Sequence, residues 1–339
     1  MLLDDMIHVG FFTKRSATLA FHFLIAARLS LIMERHCCRH LHAHFADAPT
    51  DIAMYAARLA DISFSFTARS SDLFKEEALI IRKVARSAKA ITISNYNRNL
   101  MITQGADGDK IVVIHSGVDC LRFGSRESRK ERSGPMPLLI GSIGRLIEKK
   151  GFGTLIQAAN LLVREGMKFR IEIVGEGPWK AKLEQLIRYA GVFDRITFIG
   201  SMPNNLVPAW LAKLDIFVLA CRIDSNGDMD SIPMPLIEAM AASVPVVSTN
   251  ISAIPELIEN GVSGLLARSD DPSSLSEAIW SILDDTDLQY RCINAACQKV
   301  KKDFSEDTNV EKLACLFKEI ILPYRFDLQD SQIDCNKTL

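Results

Sequence analysis

The stretch "GDMDSIPMPLIEAMAASVPVVST", Gly227 to Thr249, sets two carboxylates, Asp230 and Glu238, eight residues apart. A proline, Pro235, stands between them and opens a predicted helix, as prolines do in a first turn. Glu238 is expected within that turn, where the helix dipole tolerates an anion. Free N–H groups at such a terminus bind phosphate. A carboxylate there can accept hydrogen bonds from two ribose hydroxyls, and one in the preceding loop can hold the hydroxyls of a sugar. Upstream, "GSIGRLIEKKGF" offers two glycines, Gly141 and Gly144, for a tight turn, then the cations Arg145 and Lys150. Cations beside a helix N-terminus suit a diphosphate. "VGEGPW", with Gly175 and Gly177, reads as another turn. Each piece alone also fits a solvated turn or an ordinary helix start.

These residues need a scaffold, and the chain supplies one by alternating short apolar runs with helical periods. In the first half, helices are expected at Ser16–Arg35, Ala48–Ala60, Asp72–Ser87 and Tyr96–Gln104. Strands are expected at His40–Phe45, "ISFSFTA", "AITIS" and "KIVVIHSG". The charged segment Arg122–Pro137 reads as a linker. The alternation then restarts, with strands at "LLIGSIG", "FRIEIVG", "RITFIG", "DIFVLA" and "VPVVST" and a further strand after the Gly261–Gly264 turn. Helices are expected at Gly153–Glu165, Trp179–Ala190, Leu206–Lys213, Leu236–Ala242 behind Pro235, Ile254–Glu259, Ser273–Leu283 and Leu288–Asp303, with a last one near Thr308–Ile321 before a polar tail. The organisation predicted is residues 1–121, a linker at 122–137, a second domain over 138–304, a helix at 305–322 and a tail at 323–339. Alternation of this kind implies an α/β protein with parallel sheets covered on both faces. Ligands in such sheets sit at the carboxyl ends of strands, and the candidate residues all follow strands.

Composition narrows the choice. The 339 residues are 48% hydrophobic and 24% charged, as in an ordinary globular protein of two domains. A net charge of −1 gives no general attraction to nucleic acid. The eight cysteines form no CxxC pair, so neither a zinc knuckle nor a disulfide framework is indicated. The most apolar stretch, Ser16 to Met33, is interrupted by His22 and Arg28. It is expected to be a buried or membrane-surface helix rather than a span. His40, His42 and His44 share one strand face by period two. Three histidines there could chelate a metal, or serve as structural or surface groups; no metal is expected.

Together "HLHAHFA", "FSFTA", "VIHSGVD", "GRLIEKKGF", "VGEGP", "GDMDSIPMPLIEAMA" and "PVVSTNISAIPELIENGVSGLL" give the chain a likeness from about Arg39 to Phe304. It resembles retaining glycosyltransferases of family 4, with the GT-B fold, most of all the colanic acid and exopolysaccharide type. The resemblance implies two Rossmann-like doubly wound domains facing across a cleft. It implies that Arg145 and Lys150 hold the donor diphosphate, that Glu238 binds the donor ribose and that Asp230 binds the transferred sugar. Gly144, Gly175, Pro233, Met234 and Leu236 would line the donor, with the amides of Met234 and Leu236 toward the diphosphate. His44, Arg69 and His115 would lie on the acceptor side of the cleft. No cofactor or metal is implied, since the cations and helix N-terminus replace it.

The implied partners are a nucleotide-diphosphate sugar and a glycan or lipid-linked acceptor, with no nucleic acid. The implied place is the cytoplasm, peripheral to the inner face of the plasma membrane where the acceptor is lipid-linked. Two features depart from the family pattern. Arg69 stands where the family has histidine, and arginine cannot exchange a proton near neutral pH. Met1–Arg15 lacks the family's opening strand and glycine-rich turn, so an N-terminally truncated first domain is expected. The expected activity is sugar transfer with retention, in surface or exopolysaccharide synthesis. The alternative is a non-catalytic or degenerate nucleotide-sugar-binding remnant, and a sugar-nucleotide epimerase on the same fold is a third reading.

Overall fold

A computed structural model describes residues 1–69, 71–74, 79–124 and 137–322. The chain divides into two compact units, Met1–His115 with the chain from Val310 onward, and Ser116–Asn309. Most of the predicted linker, positions 125–136, and the tail at 323–339 lie outside the described residues.

The first unit is built on four parallel strands, β1 (His40–His44), β2 (Ser63–Ala68), β3 (Lys89–Thr92) and β4 (Ile111–Val113), lying side by side in chain order. The connections include α3 (Ala48–Leu59) and α6 (Asn95–Thr103). Ser94 accepts a hydrogen bond from the Asn97 N–H, a side-chain cap that starts α6. Within the helix expected over Asp72–Ser87 the described residues form α4 (Ser71–Phe74) and α5 (Ile80–Arg86), and positions 75–78 lie outside the described residues. The Asp72 carboxylate accepts from the N–H groups of Ala46 and Arg69, so it ties α4 to two strand ends. Met1–Arg15, which carries no strand signal, contains the short helix α1 (Leu2–His8).

The helix α2 (Lys14–Arg35) is long and apolar enough, by length and composition, to cross a membrane. It packs along α3 through Leu19, His22, Ala26, Ser30 and Met33, while Phe21, Leu24, Ile25, Leu31 and Ile32 stay exposed on other faces. The buried His22 on the packed face is tolerated because its ring meets Asp51, and the buried Ser30 because its hydroxyl donates to the Ala27 carbonyl at 2.9 Å. Asp51, fully buried, is 2.7 Å from Lys83 Nζ and 3.0 Å from both Arg15 and His22. Asp5, also fully buried, takes Arg86 at 2.6 Å, Arg82 at 3.2 Å and the Tyr55 hydroxyl at 3.0 Å. Burial, with the nearby Asp5 charge, holds the Tyr55 phenol far above its usual range, so it stays a donor.

The second unit is a six-stranded parallel sheet. In chain order its strands are β5 (Leu138–Ile143), β6 (Phe169–Val174), β7 (Ile196–Gly200), β8 (Ile216–Val218), β9 (Val246–Thr249) and β10 (Leu265–Ala267). Their spatial order is β10-β9-β8-β5-β6-β7. The chain winds from β5 outward to β7, then returns to the other side of β5 and winds to β10. The winding therefore reverses between β5 and β8, where helices leave on opposite faces and a crevice must open. The helices α8 (Phe152–Arg164), α9 (Lys180–Tyr189), α10 (Val207–Leu211), α11 (Met234–Ala241), α12 (Ile254–Leu257), α13 (Pro272–Asp284) and α14 (Thr286–Asp303) fall close to their expected places. Their apolar faces close on fully buried strand residues such as Ile140, Phe169, Ile171, Ile216 and Val218.

Gly141 is expected in a turn, but it lies inside β5 without a positive φ. A Cβ there would stand 2.2 Å from a Leu214 methyl carbon, so the missing side chain makes room for packing.

Candidate functional site

The reversal between β5 and β8 brings three loops together at the carboxyl edge of the sheet. The β5 and β6 loops are laced by backbone bonds: Gly144 N–H to the Val174 carbonyl at 3.0 Å and Leu146 N–H to the Glu176 carbonyl at 2.9 Å. The approach is so close that a Cβ on Gly175, which has φ +134°, would lie 2.0 Å from the Gly144 carbonyl oxygen. Gly175 is thus required by the backbone rather than being a loose turn residue. Gly151, at φ +66°, makes the same kind of approach to the Ala220 carbonyl and joins the β5 loop to the exit of β8. Arg222 adds an N–H to the Lys149 carbonyl at 2.9 Å.

On this frame sits a cluster of four charges. Lys150 Nζ lies 2.5 Å from Asp230 Oδ2. Lys149 Nζ lies 3.4 Å from Asp230 Oδ1, 3.2 Å from Asp228 Oδ1 and 3.4 Å from the Met229 carbonyl. The Cys221 thiol, wholly buried at the end of β8, donates to Asp230 Oδ2 at 3.8 Å. Burial and then the Asp230 charge push that thiol far up, so it is a neutral donor. Burial works against the Lys150 charge, but Asp230 outweighs it and the ammonium is held above its ordinary value. The Lys150 stem lies over Gly144, 3.4 Å from where a Cβ would be. Arg145 is exposed and has no ion-pair partner among the described residues.

Glu238 differs from expectation. The helix α11 starts at Met234, so Glu238 is its fifth residue and lies beyond the first turn, where the dipole acts most strongly. It is half-buried, and its carboxylate accepts no hydrogen bond among the described residues. Burial raises its pKa, and the cation of Arg122 opposes that. Arg122 belongs to a short helix, α7 (Cys120–Phe123), which straddles the predicted start of the linker at position 122. No local signal marks it as a neighbour of Glu238. The proposed amide pair also divides: the Leu236 N–H already donates to the Pro233 carbonyl at 3.1 Å, while the Met234 N–H has no acceptor among the described residues. The Leu236 side chain is fully buried in the core, and Pro233 caps the helix.

In the first unit, parallel pairing sets the ends of β1, β2 and β4 on one edge of the sheet. His44 is exposed at the end of β1. Arg69 follows β2; its guanidinium lies 5.8 Å from the Phe45 ring centre, and its buried Nε has no partner among the described residues. His115 follows β4 and its Nδ1 donates to the Ile93 carbonyl at 2.8 Å. His40 and His42 are spoken for: their four ring nitrogens lie 2.7 to 2.9 Å from the hydroxyls of Ser63, Ser65 and Thr67. Burial, then the nearby His44 and His40, lowers the His42 pKa to about 4, so the ladder is neutral at pH 7.

The sequence pattern of the family "Glycosyl transferases group 1" matches residues 125–299. The chain belongs to that family. It is 37% identical over 232 residues, 68% of this chain and 56% of the other, to a putative colanic acid biosynthesis glycosyltransferase of Salmonella typhimurium. It is 32% identical over 240 residues, 70% and 58% of the two chains, to an amylovoran biosynthesis glycosyltransferase of Erwinia amylovora. The chain spans about half the length of the curated relatives it matches. Among solved structures, a glycosyltransferase of Rickettsia africae superposes with TM-score 0.74 at 20% identity, covering 91% of this chain and 82% of that one. HepE of Anabaena, solved with UDP and glucose, gives 0.74 at 19% identity, covering 86% and 80%. These likenesses establish the GT-B type of α/β fold, two parallel sheets flanked by helices.

Proposed function

We propose that the chain is a glycosyltransferase that moves a sugar from a nucleotide-diphosphate donor to a glycan or lipid-linked acceptor, with retention, in exopolysaccharide synthesis. The observation that carries this reading is the Lys150–Asp230 pair at the point where the winding of the second sheet reverses, with Glu238, unpaired among the described residues, on the helix that follows the same loop. Lys150 and the free Arg145 supply positive charge for the diphosphate as it departs, and electrostatic stabilisation of a leaving group is the largest lever available to such a site. The Met234 N–H adds a donor at the start of α11. This charge removes the need for a metal. Glu238 has both carboxylate oxygens available for the ribose hydroxyls, and Asp230 turns to the hydroxyls of the sugar. The donor phosphate accepts the proton of the attacking hydroxyl on the face it leaves. His44, Arg69 and His115 serve the acceptor. The colanic acid and amylovoran relatives support the acceptor class, and HepE with UDP supports a nucleotide donor. The place proposed is the cytoplasmic face of the membrane, with the exposed apolar residues of α2 as support for a peripheral position.

The test is a thermal shift with UDP, GDP and ADP, beside Glu238→Ala. A nucleotide at about 100 times its dissociation constant adds roughly 2.7 kcal/mol. Stabilisation by one nucleotide, lost in the variant, supports the donor site and names the base. No stabilisation of the folded chain by any of them rejects it. Arg69, with its buried Nε unpartnered among the described residues, favours a second reading in which nucleotide sugar is bound without turnover. Binding accompanied by transfer to an acceptor rejects that second reading; binding alone, with activity gained by Arg69→His, locates the block.

A further inference from the structure

Lys150 and Asp230 cannot keep their present contact while also serving a donor. At 2.5 Å the pair neutralises itself, and both groups are largely shielded, with side chains 14% and 15% exposed. A diphosphate that draws Lys150 away would strand Asp230 as an uncompensated carboxylate, which is costly in such surroundings. The neighbouring residue meets that need. Lys149 Nζ, with its side chain 11% exposed, stands between Asp228 and Asp230 and touches the other oxygen of Asp230, Oδ1, leaving Oδ2 to Lys150 and the Cys221 thiol. Its backbone is fixed as well, since its carbonyl accepts from Arg222, and Asp228 is held by the turn that Asp224 caps.

We infer that Lys149 is a positioning residue: it remains with Asp228 and Asp230 when Lys150 moves to the donor diphosphate, keeping Asp230 charged and aimed at the transferred sugar. The inference rests on the donor-site reading above. In it, Lys149 touches neither phosphate nor sugar and acts through Asp230. Its loss should therefore damage recognition of the sugar and spare recognition of the nucleotide. A lysine that merely stapled the loop would, when removed, weaken both together.

The experiment measures dissociation constants of the full chain for UDP and UDP-glucose, and for GDP and GDP-mannose, by calorimetry. The unsubstituted chain is compared with Lys149→Met, Lys149→Arg and Asp230→Asn. The expected result is that Lys149→Met leaves nucleoside diphosphate affinity within about twofold. Its affinity for the nucleotide sugar should fall about tenfold, the scale of a charge-assisted hydrogen bond. Lys149→Arg, which retains the cation, should recover most of that loss and also guards against a folding defect in the methionine variant. Equal weakening of both ligands, or no change in either, overturns the inference while Asp230→Asn still loses the sugar increment. If Asp230→Asn also leaves the increment intact, or if no nucleotide binds, the donor-site reading fails and the inference falls with it.

Discussion

The two units use the same alternation of strand and helix and spend their charges differently. In the first unit, Asp5 and Asp51 are fully buried, and each gathers two or more cationic partners from distant parts of the chain. These carboxylates are consumed by the fold. In the second unit the charged cluster lies at the mouth of the sheet, partly exposed, with Arg145 and Glu238 left unpaired among the described residues. Topology accounts for the contrast. The strands β1 to β4 lie in chain order, so the described sheet has no reversal and opens no crevice. The order β10-β9-β8-β5-β6-β7 has one, and the charges collect beside it. The charged cluster read as the donor site thus lies where the winding direction changes.

The largest expected effect would break this comparison if absent. Lys83→Met leaves Asp51 buried without its nearest cation and should cost about 3–5 kcal/mol in denaturant unfolding. Nucleotide affinity of the folded fraction should be unchanged. The reciprocal substitution, Lys150→Met, should weaken nucleoside diphosphate binding by about 1.5–3 kcal/mol in calorimetry. Its effect on the unfolding midpoint should be much smaller. Similar destabilisation by both lysine variants would erase the distinction between the units.

A sharper probe of the second unit is Gly175→Ala. The alanine Cβ would meet the Gly144 carbonyl oxygen, and the backbone sits at a φ that alanine avoids. The loops must separate, costing more than about 1 kcal/mol of stability and weakening nucleotide binding along with it. Retained affinity would show that the lacing of the loops is not what positions Lys150.

The smallest effect concerns pH. The folded His42 has its pKa depressed to about 4 by burial, from an ordinary 6.5, so the unfolded chain binds the proton first as the solution is acidified. His40 is shifted the same way. Stability from these residues is complete above about pH 6.5 and is lost as the pH falls toward 4. Thermal melts across that window should show a decline that His42→Gln reduces. An unchanged slope in the variant would remove His42 from the account.

Much of this was legible in the residues taken in order. The alternation of apolar runs and helical periods placed every strand, because period two and period 3.6 are local properties of a chain. The short α1 was not legible, since it has no strong period. Nor was the tie that holds α4, where Asp72 reaches two strand ends. Glu238 and Pro235 marked a helix start, yet the helix begins at Met234, one residue before that proline, which makes Glu238 its fifth residue and moves it out of the first turn.

By itself, then, the sequence determined the elements, the loops that carry Arg145, Lys150, Asp230 and Glu238, and the family resemblance their order creates. Tertiary structure alone decided which of these meet. Lys149 and Lys150 join Asp230 across some eighty residues only because β8 returns to lie beside β5. Arg122 reaches the field of Glu238 across a still longer stretch of chain. Strand order is settled by the packing of all the elements at once, and no local period encodes it.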